Sequence, residues 1–304
     1  MTIKIALIGK PEMGKTTIKK VLFEGTDPNE LVLFPLEATI TRKWTIHEFM
    51  DTKIVLLDTP GQKLQMLLKD DEEQNFSFGN TNSIIYIFDY PTWIDHSEDV
   101  VEDIRCLYEI KKKNEFEADI ILFLHKVDLI LAKKIGLKLE IIRKQINKFL
   151  NLPEKLPLYF TSLHSNLIYT IFNAMSNIIS DYSEDISVLK KLIKNSIKNL
   201  SKTICFISNK DDNIIFQSFS NDFDNTLIYY LYEQIFKLTK LNKINSVSTN
   251  LINLDSKILH FIIENISGFY SNIKNIILFS EASGENELLN FIDSLKKEIS
   301  LEKN

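Results

Sequence analysis

The chain has 304 residues, 44% of them hydrophobic and 25% charged, with a formal net charge of −5. That length allows two buried cores, and the balance is the one soluble globular proteins show. The acidic balance speaks against nucleic acid or an anionic membrane surface as partner, since both need clustered Lys and Arg. The short "IKKKN" (110–114) reads as a solvated helix end. No apolar run reaches the roughly 20 residues that span a bilayer, and "MTIKIALIG" carries no cleavage pattern. The expectation is a cytosolic protein, peripheral to a membrane only through partners, with no direct membrane insertion. Cys106 and Cys205 lie in different halves without paired spacing, and both read as small buried residues, not as a disulfide or zinc site.

In chain order, the apolar run "IKIALI" leads into "GKPEMGKTT" (9–17) and then the helical pattern "IKKVLFEG". A Gly-x-x-x-x-Gly-Lys-Thr loop between strand and helix wraps backbone N–H groups round a diphosphate. Gly9 supplies the turn out of the strand, and Gly14 allows close approach to the phosphates. Lys10, Pro11, Glu12 and Met13 form the loop between them, and Thr17 follows at the helix start. Lys15 is assigned to the outer phosphates and Thr16 to a magnesium ion. The bland alternative is a glycine turn that caps an ordinary helix.

Next comes "TRKWTIHEFM", with polar residues interleaved, directly before the continuous run "KIVLLD". That pair predicts an antiparallel edge hairpin. "DTPGQ" closes the run: Asp58 is placed to hold magnesium through a water, Gly61 to offer its N–H to a third phosphate, and Gln62 to orient an attacking water. The runs "SIIYIFD", "DIILFLHK" and "LPLYFTS" follow, each apolar enough for a strand buried on both faces of a parallel sheet. Helical patterns alternate with them: "EDVVEDIRCLYEIKKK", "LKLEIIRKQINKFLN" and "NLIYTIFNAMSNIIS". The fold class is therefore α/β, a doubly wound, mostly parallel sheet. "HKVD" (His125–Asp128) chooses the base, because an Asp at a strand end accepts two hydrogen bonds from guanine, whereas adenine offers no such donor pair. Lys126 lies along that base, and Thr161, Ser162 and Leu163 bring a loop to the guanine oxygen.

After "SDYSED" (180–185) the alternation stops, which sets the expected domains at 1–182 and 183–304. A helix, the hairpin "TICFIS" and "IIFQSFS" about "NKDDN", a long helix, three strand-like stretches and a closing helix give the order αββαβββα. That order suits a small α+β domain on a five-stranded antiparallel sheet. Asp255, His260 and Glu264 read as surface or cross-strand residues, because nothing gathers them into a pocket. On the long helix Ile228, Leu231, Ile235 and Leu238 form one stripe. Tyr229, Tyr230, Tyr232 and Phe236 widen it beyond what one face buries, which points to a partner.

The ordered set "GKPEMGKT", "LEATI", "DTPGQ", "HKVD" and "FTSLHSNLIYTIFNAMSNII" resembles the Rag/Gtr family of Ras-like GTPases. Many Ras-like proteins have Asn-Lys-x-Asp in the base loop, and His-Lys-x-Asp is what this family uses. The resemblance covers essentially the whole chain, since family members carry a C-terminal roadblock (profilin-like) domain of the αββαβββα order. Gly9–Lys10 and "LEATI" look more like the RagA/RagB kind, and the proline of "DTPGQ" is closer to the RagC/RagD kind. The resemblance implies a GTP/GDP switch with magnesium, and Thr39 as the switch threonine that closes on the metal and the third phosphate. It implies weak hydrolysis to GDP and a homo- or heterodimer through the roadblock domain. Partners would be a roadblock-domain scaffold, a GTPase-activating protein and an exchange factor, in nutrient or trafficking signalling. Pro11 and Glu12 depart from the small residues usual in the loop, and Arg42 is the nearest arginine to the switch. Two other classes compete. One is a scaffold that holds nucleotide without signalling; the other, a P-loop ATPase or kinase, leaves "HKVD" without a role.

Overall fold

The computed structural model describes residues 2–33, 36, 39–49, 52–131, 136–164, 167–180, 182, 184–210, 212, 214–224, 227–228, 231, 234–235, 250–254, 257–269 and 273–302. Strand β1 (Thr2–Ile8) is followed by α1 (Lys15–Phe23) and a short α2 (Pro28–Leu33). Strands β2 (Lys43–Phe49) and β3 (Thr52–Asp58) form the expected antiparallel hairpin, with Phe49 opposite Thr52. Beyond a 3₁₀ turn at Gly61–Lys63 come α3 (Leu64–Lys69), α4 (Asp71–Phe78), β4 (Ser83–Asp89), α5 (Tyr90–Asp95) and α6 (Ser97–Lys113). The series continues with β5 (Asp119–His125), α7 (Asp128–Leu131), α8 (Gly136–Leu150), β6 (Leu158–Phe160) and α9 (Tyr169–Ser180).

The first sheet runs β2-β3-β1-β4-β5-β6, and every pairing except β2 with β3 is parallel. All seven residues of β4 are buried, as are the last six of β5, so these apolar runs are covered on both faces as parallel strands must be. Strand order reverses about β1. A crevice therefore opens at the carboxyl ends of β1, β3, β4 and β5, where α/β sheets bind their ligands. Strand β6 is shorter than its apolar run "LPLYFTS" because it pairs only from Leu158 to Phe160.

A second sheet is built from β7 (Thr203–Asn209), β8 (Ile214–Phe219), β9 (Asn250–Leu254), β10 (Lys257–Asn265) and β11 (Ile273–Ser280), in the order β8-β7-β11-β10-β9. Every neighbouring pair is antiparallel. Helix α10 (Glu184–Ser196) precedes it and the helix Glu285–Glu302 closes it. Glu264 on β10 pairs with Lys296 of that closing helix, and His260 stands opposite Ser280. Asp255 lies outside the described residues. On the expected long helix Leu231 and Ile235 are buried and Ile228 is half-buried, while Tyr229, Tyr230, Tyr232, Phe236 and Leu238 lie outside the described residues. By packing, the chain divides into two compact units, residues 1–171 and 172–304, and the division falls inside α9. Cys205 is buried and Cys106 half-buried, both as free thiols. Among the described residues no helix is long and apolar enough to cross a membrane.

Candidate functional site

Gly9 leaves β1 with φ +145°, and a Cβ there would stand 2.2 Å from the Ile87 carbonyl oxygen on β4, so only glycine permits the loop to start where it does. Gly14 caps α1 with φ +86°, and a Cβ there would meet the His125 ring at 2.8 Å. The Gly14 approach is therefore filled from behind by the base-reading loop. Between the two glycines Glu12 takes a left-handed φ of 64°, which costs a non-glycine residue about 1 kcal/mol. Its side chain is exposed, and its carbonyl accepts from Lys126 Nζ at 2.9 Å. Lys10 turns away from the loop to Asp99 of α6, at 2.8 Å.

Lys15 is buried and its ammonium donates to the carbonyls of Gly9 (2.8 Å) and Lys10 (2.7 Å), arched over the loop. Burial brings its pKa down to about 8, against the opposing pull of Asp58. An anion in the loop would restore its hold on the proton. The hydroxyls of Thr16 and Thr39 are 2.7 Å apart, and both reach Asp58 Oδ2, at 2.8 and 3.5 Å. Asp58 Oδ1 is buried without a hydrogen-bond partner, and burial raises that carboxyl above the usual range despite the hydroxyls and Lys15. Two hydroxyls and one carboxylate, whose Oδ1 is the orphaned oxygen, are the all-oxygen set a hard cation such as magnesium prefers, so these residues fit the implied metal.

Gly61 packs so tightly on the phosphate loop that a Cβ would lie 2.4 Å from Pro11 N. Gln62 follows it, exposed, in the 3₁₀ turn. Pro11, Glu12, Met13, Gly14, Lys15, Thr16, Thr17, Thr39, Gly61, Gln62 and Lys126 all border one cavity of about 290 Å³. Gly9, Lys10, Asp58, His125, Asp128, Ser162 and Leu163 do not line it. Leu36 of "LEATI" and Thr59 of "DTPGQ" do, although neither was assigned a role from the sequence. Thr59 donates from its hydroxyl to Leu7 O at 2.9 Å, which pins "DTPGQ" to the end of β1.

At the base-reading loop, Ser162 Oγ donates to Asp128 Oδ1 at 2.5 Å and accepts from His164 N. Val127 N bonds Thr161 O, and Thr161 N bonds Leu124 O. His125 is fully enclosed, with Nδ1 3.0 Å from Thr161 Oγ1; burial and the neighbouring Lys126 charge bring its pKa down to about 4, so the ring is neutral. Leu163 follows in the same loop, half-buried. Lys126, itself at φ 57°, bridges Glu12 O and Asp89 Oδ2, both at 2.9 Å. Asp89 was missed at the sequence level. Burial pushes its carboxyl up, but hydrogen bonds from Thr92 and Lys126 outweigh that and hold it below the usual range. The signal was available: "FDYP" is a third apolar run closed by Asp, with Pro91 early in the helix behind it.

Arg42 stays outside the cavity. It pairs with Glu73 of α4 and its guanidinium lies 4.0 Å over the Phe76 ring.

A strand, glycine loop and helix at the reversal point of a doubly wound sheet, faced by an aspartate from the neighbouring strand, define the P-loop nucleotide-binding class. The family model described as the Gtr1/RagA G protein conserved region matches residues 4–239, and the chain belongs to that family. The Ras-related GTP-binding protein A of Dictyostelium discoideum is 24% identical over 218 residues, which cover 71% of this chain and 67% of that relative.

Proposed function

We propose that this chain is a guanine-nucleotide switch that binds GTP and GDP with magnesium and hydrolyses GTP slowly. The observation that carries the reading is Thr39, 23 residues beyond Thr16 in sequence, drawn onto Thr16 and Asp58 beside the orphaned Asp58 oxygen. Such a threonine can respond to a third phosphate, because it belongs to a segment separate from the loop that holds the other two. Thr16 and Thr39 would hold magnesium, with Asp58 through a water, and the ion would supply neutralisation of the charge on the phosphate oxygens. Lys15 meets the outer phosphates, the Gly61 N–H meets the third, and Gln62 orients the water. Asp128, held by Ser162, reads guanine.

With no arginine among the described residues that line the cavity, intrinsic hydrolysis is expected on the order of 10⁻⁴ s⁻¹, and strong acceleration comes from a partner. Family membership supports a switch that dimerises through a roadblock domain at 183–304 and signals to effectors in nutrient or trafficking pathways. The test has two arms. Competition binding is expected to show strong preference for GTP and GDP over ATP, and Asp128→Asn to shift it toward xanthine nucleotides; equal affinity for ATP removes the guanine reading. Single-turnover hydrolysis is expected to slow further in Gln62→Leu with binding nearly intact. Bound GTP that never decays, in either protein, supports the scaffold reading instead.

A further inference from the structure

The outer side of α6 carries a groove separate from the nucleotide cavity. It has a volume of about 590 Å³ and is bounded by Glu98, Val101, Glu102, Arg105 and Glu109 of α6 and by Phe149 near the end of α8. Phe149 is 55% exposed, yet its ring is braced edge-on against the buried Trp93, with centroids 6.0 Å apart. An exposed aromatic ring fixed by a buried one is a rigid apolar platform that loses little freedom on contact.

The charges round the platform decide what it accepts. Glu98, Glu102 and Glu109 are exposed and recur at spacings of four and seven, so they form one stripe along the helix. Among the described residues Arg105 is the one cation in the lining, and its guanidinium is committed to the end of α8: Nε donates to Leu150 O at 3.0 Å and the second nitrogen to Phe149 O at 2.8 Å. The groove thus shows solvent an apolar floor and a carboxylate edge. A second copy of this chain does not complement it, because a two-fold antiparallel pairing of α6 about its Arg105–Cys106 midpoint sets Glu102 against the copy's Glu109. Anionic phospholipid is repelled by the same carboxylates.

We propose that this groove docks a basic amphipathic segment of a partner protein, with an apolar anchor on Phe149 and Val101 and Lys or Arg at helical spacing against Glu98, Glu102 and Glu109. The expected mode is a helix laid in a groove, with the anchor supplying affinity and the charges supplying selectivity and salt dependence.

The test is a display library of helical peptides of about 16 residues, panned on the full-length chain in magnesium and GDP. Recovered sequences are expected to combine Lys or Arg at spacings of three or four with an apolar anchor. Their affinity should fall at least about tenfold when Glu98, Glu102 and Glu109 are all changed to Lys, and also in Phe149→Ala and at high salt. A peptide whose basic residues are replaced by Glu should in turn bind the charge-reversed protein better than the wild type. That rescue distinguishes a lost contact from a damaged fold, as does GDP retained by each variant. Recovery of peptides with no basic excess, or binding that survives the charge reversal, overturns the proposal.

Discussion

His125 shows how one side chain joins two parts of the site. Its ring is the wall that a Gly14 Cβ would strike, and its Nδ1 meets Thr161, so it sits between the phosphate loop and the guanine loop. Burial lowers its pKa from 6.5 to about 4, so the neutral ring's contribution is complete above pH 6.5 and is lost as pH falls toward 4. The loss is on the order of 3 kcal/mol for a shift of this size. His125→Asn keeps a hydrogen-bonding group without that titration. Urea midpoints measured from pH 7 to pH 4 are expected to fall more steeply for the wild type than for the variant, since other titrating groups act on both. Parallel curves would show that His125 does not titrate in this window. Gly14→Ala, in contrast, is expected to lose nucleotide at every pH, through both its left-handed φ and the clash with the ring.

At the scale of elements, Arg42 fastens the segment ahead of β2 to α4. It pairs with Glu73 and stacks on Phe76, and Trp44 of β2 lies 6.4 Å from the same ring. A half-exposed ion pair and a cation–π contact together contribute about 1–2 kcal/mol. Arg42→Ala is therefore expected to raise amide exchange across Asp71–Phe78 while leaving GTP cleavage within a few-fold of wild type. A loss of 10³-fold or more would mean that Arg42 enters the site as a catalytic arginine. From the sequence Arg42 was only the arginine nearest the switch, because its partner lies on α4, a helix with little amphipathic signal. The same weakness hid α2, α3, α5 and α7, all of six residues or fewer and too short for a 3.6-residue period to register. The strands were legible because continuous apolar runs specify buried parallel strands and the polar-interleaved "TRKWTIHEFM" an edge strand, and the glycine loop and Asp58 because each closes such a run and marks the site at its end. What stayed illegible was contact made at a distance, such as Lys126 with Asp89 or Gly61 against Pro11.

For the whole molecule, two units with separate sheets predict two unfolding transitions in calorimetry, since each buries its own core. Magnesium and GDP at about 100 times the dissociation constant stabilise the unit they bind by about 2.7 kcal/mol, a rise of roughly 5–10 °C for a unit of this size. Only one transition should move. The other should respond to protein concentration if residues 183–304 form the proposed dimer, because mass action stabilises an associated fold and leaves a monomeric one unchanged. The independent reason for a dimer lies in the sequence, where Tyr229, Tyr230 and Tyr232 add apolar surface to an expected helical stripe whose Leu231 and Ile235 are buried. A truncation that ends at 182 keeps α9 whole, including Thr170, whose hydroxyl accepts from Ser162 N at 2.9 Å in the guanine loop; a cut at 171 removes most of that helix. The 1–182 chain is therefore expected to keep the nucleotide-dependent transition and to be monomeric by light scattering, with the full chain dimeric. A full-length chain that stays monomeric at high concentration, with neither transition sensitive to concentration, defeats the homodimer and leaves a heterodimer with a co-purifying paralogue as the form to isolate.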